Sequence, residues 1–310
     1  MAQPTRQNRK KANETFSVAM KPPRSRRRKL LMWRDAALLI APFTLLYLVF
    51  FIFPTLRVVQ LSFTDAPLIG NGNFVGLANY KRLLGDFLFW KSLKNTGYFV
   101  LLTVIPNTLF GLMFALMVVR LKRLRSWVLA AFFLPNMLTV SVVTLIWQWL
   151  LDSQFGVFNL LLGTKFAVFS NPDWAMPAVA FITIWWTVGF NMLLFIAGLQ
   201  AIPKEYYEAA SIDGATGNQI FFGITWPLLW PITALVLTLQ LIAQLKIFDQ
   251  VWLLTRGGPF NSTIVMLQFV YREAFQNFRG GYASAISIVL FLVIMVASIV
   301  QFWILRSGRR

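Results

Sequence analysis

Long uncharged stretches alternate with short charged ones along this chain. Six runs of at least 21 residues carry no formal charge: 36–56, 95–119, 126–151, 174–203, 214–245 and 280–305. A bilayer core about 30 Å thick needs about 20 helical residues. Each run is therefore long enough to cross, and must do so as a helix, because hydrocarbon cannot satisfy free backbone groups. The pattern predicts an all-α integral membrane protein with six transmembrane helices, at about 36–56, 97–119, 127–150, 177–199, 228–248 and 283–305. A further uncharged stretch, 257–271, is 15 residues long and opens with the helix-breaking Gly257-Gly258-Pro259. It reads as a turn followed by a partly buried external segment.

Composition agrees with a membrane protein. Of 310 residues, 57% are hydrophobic and 13% charged, against roughly 25% charged in soluble domains. There is no Cys and no His, which removes thiol nucleophiles, Cys/His zinc sites and imidazole acid–base chemistry. No Gly-x-x-x-x-Gly-Lys-Ser/Thr occurs to cradle ATP phosphates. No paired carboxylates lie within a run; Lys246 and Asp249 sit only at the edge of one. A membrane-embedded enzyme is thereby disfavoured. A stand-alone secondary transporter or channel remains the alternative, although ion coupling normally uses intramembrane carboxylates or broken helices. The leading expectation is a half-pathway that draws energy from elsewhere and is completed by a companion.

The net charge of +18 does not point to nucleic acid, because 11 of the 29 Lys and Arg lie in the first 34 residues and most others flank apolar runs. With the N-terminus inside, 19 fall on the inner side and 9 on the outer, and Lys246 lies at the end of the fifth span. The positive-inside rule then predicts that both termini are cytoplasmic. Residues 1–34 read as a basic, partly disordered tail and 35–310 as the transmembrane domain. Trp and Tyr near the run ends, Trp33 and Trp252 among them, suit lipid interfaces.

The polar segment before the fifth run is unusually structured. Pro203 and Glu205 suit the first turn of a helix over 203–212. Gly214 suits its end, where a left-handed residue is needed. Thr216-Gly-Asn-Gln219 reads as a capping box opening a second helix. The segment 203–227 is thus expected to be a helix–Gly–helix elbow on the cytoplasmic face.

Glu208-Ala209-Ala210-x-x-Asp213-Gly214-Ala215, followed by Phe221, Ile224, Pro227 and Pro231, resembles the EAA loop of ABC-importer permeases. Phe74-Val-Gly-Leu-Ala-Asn-Tyr80, Thr255-Arg-Gly257-Gly258-Pro259 and Gly281-Tyr-Ala-Ser-Ala-Ile286 resemble other signatures of the carbohydrate-uptake branch, the larger maltose-permease and glycerol-phosphate-permease type. The resemblance spans roughly 36–305. It implies a type I ABC-importer permease fold in a bacterial or archaeal plasma membrane. It also implies a second permease, two ATPase subunits that bind ATP and Mg, and an extracytoplasmic binding protein that delivers a sugar or sugar-like solute. This chain would bind no cofactor itself. The elbow would be the coupling helix, with Tyr207, Glu208, Ala209, Ala210, Asp213, Gly214 and Ala215 contacting the ATPase.

Sugars are held by amides, hydroxyls and aromatic faces. Such groups concentrate in Thr183-Ile-Trp185-Trp186-Thr187-Val-Gly-Phe190-Asn191 and in the i,i+4 pair Gln240 and Gln244. Membrane helices also use Gln and Thr to bond one another, and both uses remain open from the residues alone. The resemblance implies that Thr183, Trp185, Thr187, Phe190, Gln240 and Gln244 line the solute pathway.

Overall fold

The computed structural model describes residues 26–307, so most of the expected tail, including the stretch read as disordered, lies outside the described residues. Of the described residues, 26–57 form one compact unit and 58–307 another. The first contains α1 (Arg26–Tyr47), which passes through a π-helical turn (Leu48–Ile52) into α2 (Phe53–Leu61), whose last four residues belong to the second unit. Together they give an apolar span, Ala36–Leu61.

The second unit is also helical, with one isolated antiparallel bridge between Thr64 and Phe74 among its described residues. Its frame is α4 (Phe87–Arg120) against α8 (Pro172–Gln200), with the short α3 (Ala78–Gly85) at the start of α4. Local chemistry sets the helix starts. Asp86 accepts the Leu88 N–H at 2.8 Å. Asn171 accepts the Asp173 N–H at 2.9 Å, with Pro172 in the first turn. These caps satisfy donors that a helix leaves free. Midway, α4 and α8 touch nearly backbone to backbone: a Cβ on Gly111 would stand 2.8 Å from Asn191 Cβ.

The third expected span is not straight. It consists of α5 (Arg125–Met137) and α6 (Val140–Leu150), bent by 101°. Pro135 lies in the last turn of α5, and Leu138 and Thr139 are extended. The freed Leu138 carbonyl accepts from Trp186 Nε1 at 3.2 Å. On the same side, a Cβ on Gly189 would collide with the Phe132 carbonyl. The run is long and apolar enough for one helix, but Pro135 and a close fit on α8 break it. Among the described residues, five helices are long and apolar enough to cross a membrane, or six if this bent pair is one span.

After α7 (Val157–Leu162), α8 leads into α9 (Lys204–Ile212), α10 (Gly217–Ile220) with a π-helical turn (Phe221–Thr225), and α11 (Trp226–Leu245). Then come α12 (Asp249–Leu254), α13 (Met266–Tyr271) with a second π-helical turn (Arg272–Gln276), and α14 (Gly280–Ser307). Among the described residues, three apolar cores run along the second unit. One joins Ala115, Val118, Phe195, Ile202 and Leu229 beside the elbow. One joins Phe99, Trp147, Val179, Ile182 and Val251. One joins Leu83, Phe89, Met266, Phe269 and Ile286.

Candidate functional site

The elbow is a hydrogen-bonded, two-sided object. Helix α9 closes with Asp213 N–H donating to Ala209 O at 3.0 Å and Ala215 N–H to Ala210 O at 2.9 Å. Gly214 makes the reversal with φ +72° in open space, a conformation glycine adopts without strain. Gln219 Oε1 then accepts the Thr216 N–H at 2.7 Å, closing the capping box that starts α10.

The seven expected coupling residues divide between the two sides. Tyr207 is half-buried against the core beside Phe195 and Leu229, and its hydroxyl pairs with Thr225 Oγ1 at 3.2 Å. Ala210 and Ala215 are half-buried, whereas Glu208, Ala209, Asp213 and Gly214 are exposed. The outer side also carries Ile212, 86% exposed, and Tyr206, 54% exposed. Ile212 was not among the expected contacts; its place one helical turn after Glu208 was the available signal. The outer side thus combines carboxylates with apolar groups, while the inner side is pinned to the bundle.

A second polar constellation lies within the bundle, where α4, α8 and α11 meet. Asn107 Nδ2 donates to Thr187 Oγ1 at 2.7 Å and to Gln240 Oε1 at 3.3 Å. Gln240 Nε2 donates to Asn191 Oδ1 at 3.0 Å, and Gln244 Nε2 to Gln240 Oε1 at 3.0 Å. Thr187 Oγ1 donates to Thr183 O at 2.7 Å, and Thr183 Oγ1 to Val179 O at 2.8 Å. Asn107, Asn191, Gln240 and Gln244 are all buried. Two buried atoms of the cluster, Asn107 Oδ1 and Asn191 Nδ2, have no hydrogen-bond partner. One acceptor and one donor are thus spare.

The structure brings Thr187, Gln240 and Gln244 together and joins Thr183 through its carbonyl. It does not bring in the two aromatics. Trp185 stands edge-on to Trp147, with ring centroids 5.4 Å apart, and lines an apolar cavity of about 340 Å³ with Phe110, Phe114 and Phe181. Phe190 is exposed. Asn107 was not singled out from the sequence, and Asn191, named within the polar segment, was not among the six expected pathway residues. Each is an uncharged amide within an apolar run, and that was the available signal. The arrangement exchanges hydrogen bonds among amides and hydroxyls.

Comparison with known proteins bears on both places. Residues 107–310 match the family described as binding-protein-dependent transport system inner membrane component. The trehalose/maltose transport system permease protein MalF of Thermococcus litoralis is 36% identical over 293 residues, covering 90% of this chain and 96% of that protein. The sn-glycerol-3-phosphate transport system permease protein UgpA of Agrobacterium fabrum is 32% identical over 270 residues, covering 86% and 92%. A crystal structure of the bacterial alginate ABC transporter, in complex with alginate pentasaccharide-bound periplasmic protein, shares the fold. Its TM-score is 0.82 at 24% identity, over 93% of this chain and 99% of that one.

Proposed function

This chain belongs to the binding-protein-dependent transport system inner membrane component family, and from that premise we propose that it forms half of an ATP-driven import pathway for a sugar or sugar-like solute. A second permease completes the pathway, two ATPase subunits carrying ATP and Mg work it, and an extracytoplasmic binding protein delivers the solute. The charge distribution, 19 basic residues on the tail side against 9 opposite, supports cytoplasmic termini in a bacterial or archaeal plasma membrane.

The observation that carries this reading is the place of the elbow in the chain. It is the strap between α8, which ends at Gln200, and α11, which begins at Trp226. Asn191 lies roughly 14 Å up α8 from that strap and Gln240 roughly 21 Å up α11, at 1.5 Å per residue. Where the strap meets the bundle, α8 and α11 are in close contact: a Cβ on Gly198 would stand 2.8 Å from Ile232 Cγ1. A displacement of the outer face of α9 by an ATPase is passed through Tyr207 and Ile202 to both helices. Those helices carry Thr187, Asn191, Gln240 and Gln244. The cluster with one spare donor and one spare acceptor is then opened or closed by the motor, and a solute hydroxyl can satisfy both groups.

The test is reconstitution. Vesicles holding this chain, its companion and the ATPase take up radiolabelled sugar only with ATP and binding protein, and Ile212→Asp suppresses uptake. Uptake by this chain alone, without the ATPase, refutes the reading.

A further inference from the structure

The end of the bundle remote from the elbow carries a second shaped surface. The turn between α12 and α13 holds three non-glycine residues in the left-handed region: Arg256 at φ 52°, Phe260 at 50° and Asn261 at 57°. Asn tolerates this conformation, but a bulky side chain does not. The turn is held there from outside. Lys91 Nζ donates to Phe260 O at 2.8 Å. Asn95 Nδ2 donates to Asn261 O at 3.3 Å and Ile264 O at 2.9 Å. Arg272 donates to Asn261 Oδ1 at 3.2 Å. From within, Thr263 Oγ1 donates to Gly258 O at 2.8 Å.

This fixed, unfavourable backbone leaves the Phe260 ring 86% exposed. A second ring, Phe87, is 77% exposed, and Lys91 Nζ lies 5.9 Å from its centroid. The same ammonium group thus bonds the Phe260 backbone and lies near the Phe87 ring. Lys91 is half-exposed, and Lys94 one turn along α4 and Arg256 four residues before Phe260 are exposed. The neighbouring carboxylate Asp86 is half-buried and engaged by the Leu88 N–H and the Tyr282 hydroxyl, so the accessible charge on these segments is positive. Strain maintained at a solvent-facing aromatic points to a partner, and the surrounding charge identifies its chemistry. Lys91 lies 27 residues, roughly 40 Å of helix, from Val118 beside the elbow. If ATPases hold the elbow, this surface faces outward.

We propose that Phe260, with Phe87 beside it, is the aromatic anchor for the extracytoplasmic binding protein, which receives it in an apolar pocket rimmed by carboxylates. The proposal rests on the import reading above and adds the contact through which the delivery protein is held. Clamping Phe260 in advance removes most of the ordering loss on association. The cationic rim accelerates encounter in a salt-dependent way.

The test uses the assembled transporter in lipid nanodiscs and its purified extracytoplasmic binding protein. Phe260→Asn removes the ring yet relieves the backbone, so it leaves thermal stability unchanged or raised. It weakens binding about thirtyfold, the scale of a buried aromatic hot spot, while Phe260→Trp retains binding. Lys94→Glu slows association and flattens its salt dependence. The proposal is overturned if Phe260→Asn binds within twofold of wild type, as it would if the ring sat only among lipid headgroups. It is also overturned if that variant sheds the companion permease or loses stability, since the ring then packs within the assembly. A wild-type transporter that imports solute with no binding protein present overturns the import reading itself, a result distinct from either.

Discussion

Replacing Gln240 with Met keeps the length of the side chain and removes its hydrogen bonding. The structure gives Gln240 three side-chain partners: Asn107, Asn191 and Gln244. Two of these bonds, to Asn107 and Asn191, cross between helices; at an average of about 0.6 kcal/mol each they are worth about 1.2 kcal/mol, or roughly eightfold in the unfolding equilibrium. The stranded amides, buried on three helices, push the loss upward. Thr238 supplies the control on the same helix. Its hydroxyl donates to Ala234 O at 2.8 Å, within α11, so Thr238→Val loses no bond between helices and costs less than about 0.5 kcal/mol. The assay is denaturant unfolding of the detergent-solubilised protein followed by tryptophan fluorescence. A Gln240→Met variant as stable as wild type, or a Thr238→Val variant equally damaged, refutes the claim that the amide cluster ties α4, α8 and α11 together. Uptake separates the second role: if Gln240 also meets solute, Gln240→Met changes solute preference, whereas loss of the tie alone lowers all solutes alike.

Gly214→Val forces a β-branched residue to φ +72° and is expected to abolish solute-stimulated ATPase in an assembled complex, whereas Gly214→Asn, which tolerates that region, retains most of it. Gly189→Ala brings a methyl onto the Phe132 carbonyl, while Gly223 has nothing within 4 Å of an added Cβ; thermal melts should show the first change lowering stability sharply and Gly223→Ala leaving it nearly intact. Tyr207→Phe removes only the pairing with Thr225 and should lower stability by about 1 kcal/mol, with ATPase stimulation reduced and not lost; a full loss would show that the hydroxyl contacts the ATPase itself.

The spans could be read from the sequence because a single charge inside hydrocarbon is so costly that its absence over 21 or more residues is a direct signal. The elbow was equally plain, since Gly214 and the Thr216–Gln219 box are short-range devices whose geometry depends on neighbours in sequence. What escaped is long-range. The 101° break after Met137 depends on Trp186 reaching the Leu138 carbonyl and on Gly189 admitting Phe132, and Pro135 alone does not announce it. Gln240 and Gln244 stood out as an i,i+4 pair, yet their partner Asn107 lies 133 residues before Gln240. Trp185 and Phe190 shared a segment with Thr187 but lie on other faces of α8, one against Trp147 and the other exposed.

The meeting of Gly189 with the Phe132 carbonyl has a mechanical consequence. No side chain lies between the two backbones there, so nothing can be squeezed, rotated or repacked to let one helix glide across the other. The junction stays shut or comes fully apart. While it is shut, α5 and α8 share a fixed fulcrum, and any reshaping of the interior must proceed by rocking about that point.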